Sequence, residues 1–88
     1  MIRRRLLVRG RVQGVGFRIA VARRAEAAGL AGSARNRFDG SVEIVLEGPP
    51  EAVERVTTFC AEGPRGAEVD EVTAAEEPPR GENGFRVG

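Results

Sequence analysis

The chain contains no histidine, no lysine, no tryptophan and no tyrosine, and only one cysteine, Cys60. Each absence removes a chemistry. Without histidine there is no imidazole base, no phosphohistidine and no serine–histidine pair. Without lysine there can be no Schiff base and no Walker-type phosphate loop, which needs an ammonium group. A lone cysteine cannot close an intrachain disulfide, so nothing calls for an oxidising compartment. Cys, His and carboxylate residues show no clustering with metal-ligand spacing, so neither a metal nor a cofactor is expected. No apolar run approaches the roughly 18 residues that would cross a bilayer. The N-terminal stretch Met1–Val8 turns at once to charge and glycine and lacks the apolar core of a signal peptide. A cytoplasmic protein with no membrane partner is the expectation.

What is present is arginine. All 14 basic residues are Arg, set against 13 carboxylates, for a net charge of +1 over 88 residues. That length predicts one domain over residues 1–88 with a single small core. The balanced charge gives no overall attraction to polyanions.

Residues 5–12 alternate, with Leu6, Val8, Gly10 and Val12 on one face and Arg5, Leu7, Arg9 and Arg11 on the other, which predicts a half-buried strand. Arg3, Arg4, Arg5, Arg9 and Arg11 read as the solvated face of an edge strand, able to steer an anionic substrate. From Phe17 the period becomes helical through Ala20, Val21, Ala25 and Ala28, with Gly29 as its C-terminal cap. Residues 33–38 form a weaker strand candidate. Asp39-Gly40 is a two-residue hairpin signal. Val42, Ile44 and Leu46 alternate in a clear strand. Gly48-Pro49-Pro50 breaks it and opens a second helix with Val53, Val56, Phe59 and Cys60 on its apolar stripe, ending at Gly63-Pro64. Cys60 is therefore expected in the core. Residues 67–76 are extended, 78–84 form a loop, and Phe85–Val87 is a short last strand. The order predicts a ferredoxin-like α+β sandwich (βαββαβ), an antiparallel sheet with two helices on one face. That architecture hosts many functions and decides no chemistry.

The segment Gly10-Arg11-Val12-Gln13-Gly14-Val15-Gly16-Phe17-Arg18 runs from strand end to helix start. Glycines there let backbone N–H groups converge on an anion, and the helix N-terminus adds unpaired donors and a favourable dipole. Arg18 sits in the first helical turn, where a cation is mildly unfavourable unless an anion lies between it and the amides. The residues alone leave two readings, an anion cradle or a glycine turn beside a solvated arginine. The dinucleotide fingerprint fits poorly, because the third glycine is missing and the chain is short.

This segment closely resembles the acylphosphatase signature. A second block, Gly32-Ser33-Ala34-Arg35-Asn36-Arg37-Phe38-Asp39-Gly40, resembles that family's asparagine-bearing block, and Val42-Glu43, Gly48, Gly63-Pro64, Val69 and Val72 follow its spacing. The resemblance covers essentially the whole chain. It implies an enzyme that hydrolyses the carboxyl–phosphate bond of a small acyl phosphate. Phosphate would be bound by Gln13, Gly14, Val15, Gly16, Phe17 and Arg18, and Asn36 would orient the attacking water. Arg18 and Asn36 are then the catalytic pair, and inorganic phosphate is product and inhibitor. Two departures stand beside these: Ser33 replaces the usual aromatic, and Ile19 stands where an aromatic is frequent. They imply altered packing next to the site. The absence of an acid and a base agrees with such chemistry, because the leaving group is a carboxylate with a pKa of about 4.

Two other readings compete. RNA-recognition modules share the strand–helix order but stack bases on sheet aromatics and carry an RNP pattern, which this chain lacks, so no nucleic-acid partner is expected. Acylphosphatase-like domains also occur inside larger hydrogenase maturation proteins that handle carbamoyl phosphate; the absence of an accompanying domain favours a free-standing, monomeric enzyme. Gly88 follows the last strand by one residue, and its carboxylate is expected to pair with Arg18 when phosphate is absent.

Overall fold

The computed structural model describes residues Met1–Gly88. Seven elements follow in order: β1 (Ile2–Arg11), α1 (Phe17–Ala27), β2 (Ala31–Asn36), β3 (Val42–Gly48), α2 (Pro50–Glu62), β4 (Glu68–Glu77) and β5 (Phe85–Val87). The strands form one five-stranded sheet in the order β4-β1-β3-β2-β5. Both helices pack on the same face, so the expected ferredoxin-like βαββαβ arrangement is present. One pairing departs from it: β5 runs parallel to β2, with Gly32, Ser33 and Ala34 opposite Phe85, Arg86 and Val87, which makes the sheet mixed.

The alternation in β1 places Leu6 and Val8 under the helices, where they meet Ile44 and Leu46 of β3, Phe17, Val21 and Ala25 of α1, and Val53, Val56 and Cys60 of α2. Complete burial of such side chains contributes roughly 1.5–3 kcal/mol each. Cys60 belongs to this core, and desolvation pushes its thiol up to about 12. α1 ends as its sequence predicts. The N–H of Gly29, at φ 73°, donates to Glu26 O, and that of Leu30 donates to Ala25 O at 2.9 Å, the paired closure of a Schellman motif.

The reading of β1 as a solvated edge strand is overturned. β1 lies between β3 and β4 and starts at Ile2 rather than Arg5. Arg3, Arg4 and Arg5 are taken up by carboxylates of β3, β4, α2 and the segment between β4 and β5. Arg3 is 3% exposed. It reaches Glu47 at 3.1 Å, Glu77 at 3.0 Å and Glu82 at 2.7 Å. Arg5 pairs with Glu43 and Glu77 on the same face as Arg3, whereas Arg4, in phase with Leu6 and Val8, turns to the helix side and pairs with Glu54 of α2 and with Glu76. Arg9 is half-exposed beside Asp39; Arg11 is exposed. The helix-free face of the sheet is thus a lattice of ion pairs.

The β2–β3 hairpin also differs from expectation. The N–H of Arg37 donates to Ser41 O at 2.9 Å, and that of Gly40 to Arg37 O at 3.2 Å. The tip therefore has three residues, Phe38, Asp39 and Gly40, with Gly40 at φ 91°. β2 ends at Asn36, earlier than the expected Phe38.

Candidate active site

The site is built where β1 hands over to α1. Val12 continues the apolar face of β1 and is buried, which anchors the start of the turn in the core. Gln13 then ties the turn to the hairpin: its side-chain amide donates to Arg37 O at 2.7 Å and to Ser41 O at 3.0 Å. Gly14 and Gly16 adopt φ of 75° and 78°. A Cβ at either would meet nothing within 4 Å, so glycine is demanded here by backbone conformation, not by space. No turn, loop or cap hydrogen bond takes up the N–H of Gly14, Val15 or Gly16; the bond from Ala20 N–H to Gly16 O is the first of the helix. Gly16 is the N-cap residue without a side-chain cap, and the first turn carries no acid. A row of unclaimed donors at a helix N-terminus is an anion-binding arrangement.

Arg18 leaves the first turn of α1 towards β5, where its Nη1 donates to the backbone oxygen of Gly88. Gly88 thus meets Arg18 as anticipated, and its N–H is itself bonded to Ala34 O of β2 at 2.9 Å. Alternation along β2 places the buried Ala34 and then Asn36 on the helix side, with Asn36 at the strand end opposite Val42. A cavity of about 70 Å³ results, lined by Val12, Gly14, Gly16, Phe17, Arg18, Ile19 and Asn36. Its volume is about that of two waters, the size class of a small oxyanion.

The structure thus brings Gly14, Gly16, Phe17, Arg18 and Asn36 around one space. Val15 instead packs half-buried against the core, and the Gln13 side chain is committed to the hairpin. Sequence reasoning did not anticipate that fastening role, nor the part Val12 takes in lining the cavity; for Val12, its place on the apolar face of β1 was the available signal. Of the two departures, Ile19 does line the cavity and is 49% exposed. Ser33 does not. It faces the other side of the sheet, across from Val45 and Arg86, because it is out of phase with Ala34 and Asn36.

No histidine, cysteine or carboxylate side chain lines the cavity. Asp39, on the neighbouring hairpin tip, is held down at about 2 by the Ser41 hydroxyl, the Ser41 N–H and Arg9, so it stays ionised and cannot serve as a proton donor. No group of three or more His, Cys, Asp or Glu side chains is placed to hold a metal ion. What the site offers is fixed positive potential, from amides and a guanidinium, with one neutral amide side chain opposite.

The family model described as Acylphosphatase matches residues 4–87. A protein named Acylphosphatase from Moorella thermoacetica is 51% identical over 87 residues, covering 99% of this chain and 94% of its own length. The crystal structure of acylphosphatase from Bacillus subtilis superposes with a TM-score of 0.96 at 37% identity, covering 100% of this chain and 99% of that one. A full-length HypF in its phosphate- and nucleotide-bound form contains a similar unit, with a TM-score of 0.88 at 26% identity, but this chain covers only 12% of it.

Proposed function

The chain belongs to the acylphosphatase family, and from that premise we propose how its residues hydrolyse the carboxyl–phosphate bond. The phosphoryl group sits in the cavity of the 13–18 loop, bound by the loop amides and by the guanidinium of Arg18. Asn36 holds the attacking water on the opposite side. Charge on the phosphoryl oxygens is met by donors already in place, so little reorganisation accompanies reaction. The leaving carboxylate needs no protonation. The phosphate itself takes the water proton, so no protein base is required. The observation that carries this reading is the convergence of Gly14, Gly16, Arg18 and Asn36 on one cavity of oxyanion size.

The reading asks for no metal, cofactor or nucleic acid, and inorganic phosphate competes for the loop as product. One chain, acting as one domain over residues 1–88, supplies every group invoked, which supports a monomer. No helix is long and apolar enough to cross a membrane. The buried thiol of Cys60 matches a reducing cytoplasm, the compartment we assign.

Hydrolysis of benzoyl phosphate, followed spectrophotometrically with phosphate inhibition constants, tests the reading. Asn36→Ala is expected to lower kcat by about 10²–10³, the scale of one positioned polar group, with phosphate affinity nearly unchanged. Loss of kcat without loss of ground-state binding marks action in the transition state. A fully active Asn36→Ala would remove the water-positioning role. Turnover lost on dialysis against EDTA and restored by Mg²⁺ would overturn the metal-free mechanism.

A further inference from the structure

A cavity of about 70 Å³ accommodates a phosphoryl group and little more. The acyl part of any substrate must lie outside it. A second, larger cleft of about 660 Å³ adjoins the cavity; Asn36 lines both, and the cleft's other walls are Gln13, Arg35, Arg37, Phe38 and Asp39. Its size is ordinary for a small-molecule site.

The charges in this cleft are unequally committed. Arg35 is held by Glu43 at 2.8 Å. Asp39 is turned towards Ser41, whose N–H and hydroxyl donate to it at 3.0 Å and 2.5 Å, and it faces Arg9 at 3.4 Å. Arg37 stands 3.7 Å from Glu43 and 3.9 Å from Asp39, too far for a hydrogen bond to either. Its backbone, by contrast, is fixed at both ends, through its N–H to Ser41 O and its carbonyl to Gln13. Arg35 spends only its Nε on Glu43, and Arg37, on an anchored backbone, spends no side-chain N–H on a hydrogen bond while lying within ion-pair range of Glu43 and Asp39. Beside Arg37, at the hairpin tip, the ring of Phe38 is fully exposed.

We propose that this cleft is the acyl subsite, in which Arg37 binds a second anionic group on the acyl chain and Phe38 covers its apolar part. The proposal rests on the acyl-phosphate reading above and adds the class of acyl group preferred. An acyl phosphate with a distal carboxylate spans from the loop, past Asn36, to Arg37. A guanidinium offers that carboxylate paired donors.

Two matched substrate pairs test it. Succinyl and butyryl phosphate share chain length and differ in the distal carboxylate. Benzoyl and acetyl phosphate differ in apolar area. Arg37→Ala is expected to lower the succinyl-to-butyryl ratio of kcat/KM by about fivefold to tenfold, as for a partly exposed charge-assisted bond, mainly through KM. Arg37→Glu should lower it further, and Arg37→Lys should retain part of it. Phe38→Ala should lower the benzoyl-to-acetyl ratio. A hairpin of purely structural importance would depress all four substrates together and leave both ratios unchanged; that result, or ratios unmoved at full activity, overturns the subsite while leaving the hydrolase intact. If the unaltered protein hydrolyses none of the four, the hydrolase reading fails and the subsite with it.

Discussion

Arg3 and Arg18 are the same side chain put to opposite uses. Arg3 is buried on the helix-free face of the sheet, with three carboxylates bonded to its Nε and Nη1. Arg18 sits on the helix side, in a first turn without an acid, with a single backbone oxygen as partner. The difference lies in the neighbourhood. Around Arg3 the cost of desolvating a charge is offset by three carboxylates; Glu47, the most buried of them, also accepts the N–H groups of Arg80, Gly81 and Glu82. Around Arg18 the partners are withheld, and the amides of the adjacent loop are left unclaimed. A paired guanidinium holds strands together, whereas an under-paired one beside free amides awaits an anion.

The widest separation between the two regions should appear in activity. Arg18→Ala and Arg18→Lys are both expected to weaken inorganic phosphate binding and cut turnover by about tenfold or more, since a charge-assisted bond contributes on the order of 1.5–3 kcal/mol. The melting temperature should stay within a few degrees of the unaltered protein. Arg3→Ala should do the reverse, lowering the melting temperature by roughly 10–25 °C, the effect of leaving buried carboxylates without their cation in a small domain, with kcat preserved in the folded fraction. Calorimetry and steady-state kinetics on the two variants test the contrast; equal effects on both quantities would dissolve it.

Acid should act on one region before the other. Glu77 is depressed to about 2, chiefly by hydrogen bonds from Arg5 and then Arg3, and Glu47 is depressed chiefly by the Arg80 N–H. A carboxylate depressed in the folded state contributes stability that is complete above its unfolded pKa and is lost as pH falls through the folded one. Melting temperature should therefore be level above about pH 5 and decline between there and pH 2. The kinetics should show no enzyme group titrating near pH 6.5, because the chain has no histidine; a shoulder near pH 6 would come from the substrate phosphate. Phosphorus NMR of the free ligand separates these two origins.

The smallest effect belongs to the rim of the ion-pair face. Arg86 is 65% exposed and lies 3.7 Å from Glu82. Removing it as Arg86→Ala should change the melting temperature by less than about 4–8 °C, since exposed pairs contribute under about 1 kcal/mol. A large fall would mean that the lattice acts as one unit out to its edge.

The glycine turn between β1 and α1 could be read from the sequence because its determinants are local. Glycines at positive φ, a change from period two to helical period and an arginine in the first turn all lie between Gly10 and Arg18. Asn36 became recognisable only through its block, since an asparagine before a turn has an ordinary structural explanation. The ion-pair lattice was not legible. Arg3 meets Glu47, Glu77 and Glu82 across 44, 74 and 79 positions, and alternation within β1 cannot reveal whether it is an edge or a central strand. The hairpin tip was misjudged for a related reason: Asp39-Gly40 marks a reversal, but the register that closes it is set by Gln13 and Ser41.

The parallel placement of β5 carries a consequence for how the molecule opens. β4 and β5 are consecutive in sequence yet occupy opposite edges of the sheet, so the segment between them must cross the whole width of the other strands. β5 can join only after β2 is in place, and it is held by three register positions and the clamp of Glu47 on the crossing segment. It is the part of the sheet with the least to lose by detaching, and its amide protons should exchange with solvent through a local opening long before those of β1 and β3. Each such opening also removes Gly88 from Arg18. The breathing of one short edge strand and the release of the Arg18 guanidinium are, in this architecture, the same event.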